Sequence, residues 1–122
     1  MISGGNATIF VSDMDRAVTF YTETLGLALK YRAGNQWTEV MTASGLRIGL
    51  HPKSQNGPTP GSRGAISVGF DVEQLPIEQL VQDLSAKGVR FEGVVNDGPW
   101  VKLAHFADPD GNELYLCQSI TR

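Results

Sequence analysis

The chain has one cysteine, no run of basic residues and no apolar stretch near the length of a membrane span. Each shortage closes off a class of protein. Cys117 alone cannot form an intrachain disulfide, so the fold needs no oxidising compartment, and a cytoplasmic location is expected. No histidine neighbours it in sequence, and it reads as a small half-buried hydrophobe rather than a nucleophile. Ten Lys and Arg against 13 Asp and Glu give a formal net charge of -3, and no basic stretch is interleaved with aromatics. The electrostatic footprint of a nucleic-acid binder is therefore missing. No membrane association is expected either, because the first residues lack a basic-then-apolar signal pattern and nothing later is long enough to span a bilayer. There is no nucleophile–base pair and no phosphate-cradling loop; the glycine-rich spots are turns and helix caps. Catalytic residues are accordingly unassigned.

What is present is an ordinary globular composition, 41% hydrophobic and 19% charged over 122 residues, enough for one domain with a core. Ala7 to Val11 alternates like a strand. Ser12 and Asp13 offer N-cap oxygens to a helix running to about Thr24, with Met14, Ala17, Val18, Tyr21 and Leu25 as its apolar stripe and Gly26 as its terminator. Leu27–Arg32, Trp37–Thr42 and Leu46–His51 then read as three strands joined by short turns. Pro52 to Arg63, with three prolines and two glycines, breaks every pattern and reads as a linker. The order then begins again. Ala65–Val72 is a strand, Pro76 opens a helix striped by Ile77, Leu80, Val81 and Leu84, and Gly88 closes it. Val89–Val94, Trp100–Phe106 and Glu113–Gln118 are three more strands. The turn before the last of them, Asp108-Pro109-Asp110-Gly111, carries Pro at its first central position and a glycine suited to positive φ.

The expected fold is therefore α+β: paired βαβββ modules forming a curved mixed sheet around a cleft, with module one at about 6–51, a linker at 52–63 and module two at about 64–119. Each helix covers one face of its own sheet. The opposite faces would be left to line a cleft suited to a small molecule.

The segment Phe10-Val11-Ser12-Asp13-Met14-Asp15-Arg16-Ala17-Val18-Thr19-Phe20-Tyr21, and Asp108-Pro109-Asp110-Gly111-Asn112 near the end, placed in this repeat, resemble the vicinal oxygen chelate superfamily. That group includes glyoxalase I, bleomycin-resistance proteins, fosfomycin-resistance enzymes, extradiol dioxygenases and methylmalonyl-CoA epimerase. The resemblance spans about Asn6 to Gln118. It implies the fold, a homodimer, and in the enzymes a divalent metal held by histidine and glutamate from four strand positions. Carried onto this chain, those positions fall on Asn6, Gly49, Ser67 and Tyr115, the last fixed by counting from the turn glycine. None is an imidazole or a carboxylate, the usual donors for such metals. A substitute metal site would draw on His51, Glu39 and Glu113. His51 shares a strand phase with Gly49 and Arg47, and His105 leads into the turn as a hydrogen-bonding partner within the sheet.

The expected function is a metal-free small-molecule binder of the glyoxalase/bleomycin-resistance type, without cofactor. Its candidate ligand-binding residues are Asn6, Phe10, Trp37, Glu39, Arg47, His51, Ser67, Trp100 and Tyr115. The aromatics among them would stack on a flat organic or drug-like ligand while Arg47 meets an acidic group. Aromatics on strands also serve as core or interface residues, so their weight is collective. Two alternatives stand beside this reading: a metal-dependent lyase, isomerase or dioxygenase with a rearranged site, and a dimerising module whose cleft is vestigial.

Overall fold

A computed structural model describes all of residues 1–122 except Ile2, Ala65, Thr121 and Arg122. The chain divides into two compact units, Met1–Ser62 and Arg63–Arg122. Each holds a four-stranded mixed sheet, and the strand order is the same in both.

The first unit contains β1 (Ala7–Val11), α1 (Met14–Thr19), β2 (Ala28–Ala33), β3 (Trp37–Met41) and β4 (Arg47–Pro52), in the sheet order β1-β4-β3-β2. β1 runs parallel to β4, and the other pairs are antiparallel. Period-two alternation sends Ile9, Val11, Val40, Ile48 and Leu50 to one face, where they are buried with Met14, Ala17 and Tyr21 of the helical segment. Burial of side chains this size contributes about 1.5–3 kcal/mol each. The Asp13 carboxylate caps α1 by accepting the Arg16 N–H at 3.1 Å.

The first helix does not stay α-helical to Thr24. From Phe20 to Thr24 it widens into a π turn, with the Leu25 N–H reaching five residues back to Phe20 O at 2.9 Å. The Thr22 hydroxyl donates to Val18 O at 2.6 Å, competing for the carbonyl that a continuing α-helix would use.

The second unit contains β5 (Val68–Asp71), α2 (Ile77–Ala86), β6 (Phe91–Asp97), β7 (Val101–Ala107) and β8 (Glu113–Ser119), in the order β5-β8-β7-β6. Phe70, Ala104, Phe106, Leu114 and Leu116 are buried on one face with Ile77 and Leu84 of α2. β5 is shorter than the expected Ala65–Val72. Ala65 lies outside the described residues, and pairing starts at Val68↔Leu114. In this register Ser67 falls opposite Glu113, the first residue of β8, and residues before it would run into the preceding turn, where there is no ladder to join. β6 likewise starts two residues late, because the Val89 N–H is spent on Leu84 O at the end of α2.

The turn before β8 is tied by Asp108. Its Oδ1 accepts the N–H groups of Asp110 and Asn112 at 3.0 and 2.9 Å, and its Oδ2 accepts the Asn112 amide at 2.9 Å. Gly111 stands at φ +91°, the conformation the turn requires. This turn sets the register that pairs Tyr115 with His105 and Gly69. Among the described residues, no helix is long and apolar enough to cross a membrane.

Candidate functional site

Strand register decides which side chains stand together on the face away from each helix. In the first unit, the row across β1, β4 and β3 reads Thr8, Gly49, Glu39. In the second unit, the matching row across β5, β8 and β7 reads Gly69, Tyr115, His105. Asn6 and Ser67 are exposed, each just before its strand and two residues short of those rows. The Asn6 amide oxygen accepts the Thr8 hydroxyl at 3.0 Å.

Each row contains a glycine covered by an aromatic ring. The Trp37 indole lies over Gly49, where an added Cβ would overlap it. The Tyr115 ring lies over Gly69 in the same way. These contacts explain why both positions are glycine: any side chain there would have to displace a ring from a packed surface.

Around Trp37 the first unit gathers an aromatic cluster. Phe10 pairs with His51 across the parallel strands, and the two rings are 4.9 Å apart at 45°. Trp37 meets His51 edge-on with centroids at 6.4 Å. His51 Nδ1 lies 2.7 Å from Pro52 O. A carbonyl only accepts, so Nδ1 is the donor in this contact. Gly57, from the segment after β4, packs against both Phe10 and Ser54.

Beside this cluster Glu39 and Arg47 form a bidentate pair, Nε and Nη2 donating to the two carboxylate oxygens at 2.9 and 3.0 Å. The hydrogen bonds from Arg47 hold the Glu39 carboxyl below its ordinary range; burial opposes them, and the charges of Arg47 and Lys30 each add less than burial removes. The same bonds raise Arg47.

In the second unit His105 lies 5.5 Å from Tyr115, ring to ring. Glu113 stands 3.9 Å from Arg63, an ion pair too long for a hydrogen bond. Cys117 shares the phase of Tyr115, and burial, reinforced by Asp71 and Asp97, pushes its thiol up. Trp100 stands apart from this group. It is 64% exposed in the hairpin before β7, in phase with Lys102, whose ammonium reaches Glu78 on α2 at 2.6 Å.

The residues present do not fit the superfamily's metal. Gly49 has no side chain and sits beneath an indole, Glu39 has both oxygens committed to Arg47, and the place fixed by the turn holds a phenol. Among the described residues no group of three or more His, Cys, Asp or Glu is arranged to hold a metal ion. His51 and Glu39 lie on the first unit's sheet and Glu113 on the second's. Chemically, the first unit's face offers stacking and charge pairing.

Sequence reasoning named Trp37, Phe10, His51, Glu39 and Arg47, and register brings all five onto one face. It passed over Thr8 and Gly69, because the pairing of parallel strands distant in sequence leaves no local signal.

Comparison with known proteins agrees with this architecture. The family model for the Glyoxalase/Bleomycin resistance protein/Dioxygenase superfamily matches residues 5–116. The uncharacterized protein YetH of Bacillus subtilis (strain 168) is 27% identical over 117 residues, covering 92% of this chain and 94% of YetH. Among solved structures, TnmS3, an antibiotic binding protein from Streptomyces sp. CB03234, is 28% identical with a TM-score of 0.74 and covers 98% of both chains. The integron cassette protein HFX_CASS4, from the mobile metagenome of Halifax Harbour sewage outfall, is 26% identical with a TM-score of 0.78, covering 96% of this chain and 99% of its own. With the family model spanning both βαβββ units, the chain belongs to the glyoxalase/bleomycin resistance protein/dioxygenase superfamily.

Proposed function

We propose that this protein binds a flat organic, drug-like small molecule without a metal, stacking it on the aromatic face of the first unit. The observation that carries the reading is the cluster of Phe10, Trp37 and His51 beside the Glu39–Arg47 pair. Half-buried rings of this kind offer apolar area at little entropic cost, and a bidentate ion pair at the edge can orient a polar substituent. The similarity to an antibiotic binding protein supports the ligand class. The reading includes a homodimer, as the superfamily resemblance suggests, and a cytoplasmic location, for which the lone cysteine is suited.

Trp37 is its own reporter. Trp100→Phe leaves it as the single tryptophan, so its fluorescence can be followed while planar polycyclic antibiotics, cationic and neutral, are titrated. At least one should quench Trp37 saturably and raise Tm. Trp37→Ala should weaken that ligand by about tenfold or more, as loss of a stacking anchor does. Binding that survives Trp37→Ala unchanged, or a panel with no saturable member, would overturn the reading.

A further inference from the structure

The second unit carries a small open cavity of about 190 Å³ that lies apart from the aromatic face of the first unit and meets the Gly69–Tyr115–His105 row only at His105. A bulge in β6 accounts for its position. Phe91 pairs with Phe106 and the ladder resumes only at Val94↔Ala104, so three steps along β6 match two along β7. Gly93, at φ +103°, takes the conformation that such an extra residue needs. The bulge bends β6 beside His105, Phe106 and Ala107, which line the cavity.

Its wall is Phe91 backed by the buried Phe106, with His105 and Ala107 beside them, and its rim is charged with both signs. Phe91 and Phe106 stand with ring centroids 5.0 Å apart. Arg63 and Arg90 line the same space as Glu92 and Glu113. Only one contact joins these four groups, Arg63 to Glu113 at 3.9 Å, and it is not a hydrogen bond. Arg90 and Glu92 are exposed, and their side chains make no hydrogen bond or ion pair among the described residues. Two guanidiniums and two carboxylates are thus gathered around this wall with most of their hydrogen-bonding capacity unspent.

We propose that this cavity is a second binding site, for a small zwitterion with an aromatic or bulky apolar end, of the α-amino-acid type. A purely anionic or purely cationic guest meets as much repulsion as attraction from a rim with two charges of each sign. A zwitterion satisfies both, its carboxylate received by the arginines in charge-assisted pairs and its ammonium by the glutamates. The half-buried Phe91 ring, backed by Phe106, takes the apolar end.

L-phenylalanine, phenylacetate and phenethylamine share the ring and differ in the charges, so they separate the classes. Titrated into the full chain and followed by amide chemical shifts, phenylalanine should bind saturably with Kd on the order of 1 mM, reasonable for about 12 non-hydrogen atoms in an open site. The shifts should centre on Phe91, Glu92, His105 and Ala107. The two singly charged analogues should bind about tenfold more weakly. Arg90→Ala and Glu113→Gln should each weaken phenylalanine by about the same factor, whereas Trp37→Ala leaves it unchanged, which separates failure here from failure of the stacking face. The amide spectra of the variants show directly that they are folded. Equal binding of all three compounds, shifts centred elsewhere, or no saturation at about ten times the expected Kd would each overturn the proposal.

Discussion

Glu39 shows how a side chain's partner decides its chemistry. In the sequence it is a carboxylate in a strand near a histidine, and so a plausible metal ligand. In the fold, register sets it across from Gly49 on β4, two residues from Arg47, and the guanidinium takes both its oxygens. The pair has a pH signature. Arg47's hydrogen bonds hold the carboxyl below its ordinary value of 4.5 in the folded state, so the unfolded chain binds the proton more readily. The stabilisation is therefore fully present above pH 4.5 and is lost as pH falls through the depressed value. Glu39→Gln should lower Tm slightly at neutral pH, because the pair is exposed on the Arg47 side, and the gap from wild type should close as the solution is taken below pH 4.5. Thermal melts of both proteins across that range read the effect. A gap that persisted undiminished in acid would mean that the ion pair is not its source. Tyr115 was legible in a way Glu39's partner was not, since the turn at Asp108–Gly111 fixes its count from within a few residues. Nothing local announces that its ring lies on Gly69.

The elements themselves were the most readable level. Alternating strands, apolar helix stripes and glycines at the two helix ends (φ +81° at Gly26, +96° at Gly88) are local signals, and the element order they give is the one observed. What stayed hidden was support from a distance. Pro76 at the start of α2 offers no side-chain cap. That role is filled from β8: the Gln118 carbonyl accepts the Ile77 N–H at 2.8 Å, while its amide donates to Val72 O at 3.2 Å and Leu75 O at 2.8 Å. One side chain thus satisfies three backbone groups more than forty positions away in sequence. Gln118→Ala leaves all three without it in a part-buried setting and should cost about 1–3 kcal/mol, measured as a drop in the urea midpoint with unchanged slope. A loss below about 0.5 kcal/mol would show that water replaces the amide without penalty. The β6 bulge is hidden for a related reason, since the glycine that makes it is visible and the offset it creates against β7 is not.

At the scale of the whole chain, the two units share one topology and almost no residue identities at matching places. Thr8, Gly49 and Glu39 in one row answer to Gly69, Tyr115 and His105 in the other. A duplicated scaffold of this superfamily hosts many chemistries, so membership decides the fold and leaves the reaction to the side chains. Here those side chains supply one imidazole and one carboxylate to the two rows, the carboxylate already paired with Arg47. Divalent zinc, nickel, manganese or iron holds tightly to several imidazole and carboxylate donors and feebly to hydroxyl and phenol groups. The protein purified without added metal should accordingly carry well under one divalent ion per chain by elemental analysis, and a chelator should leave its Tm unchanged, because an ion bound only to the folded state would stabilise it by mass action. A tightly held ion near one per chain would mean that donors from elsewhere assemble around His51, Glu39 or Glu113, and His51→Ala would then be the variant to strip it.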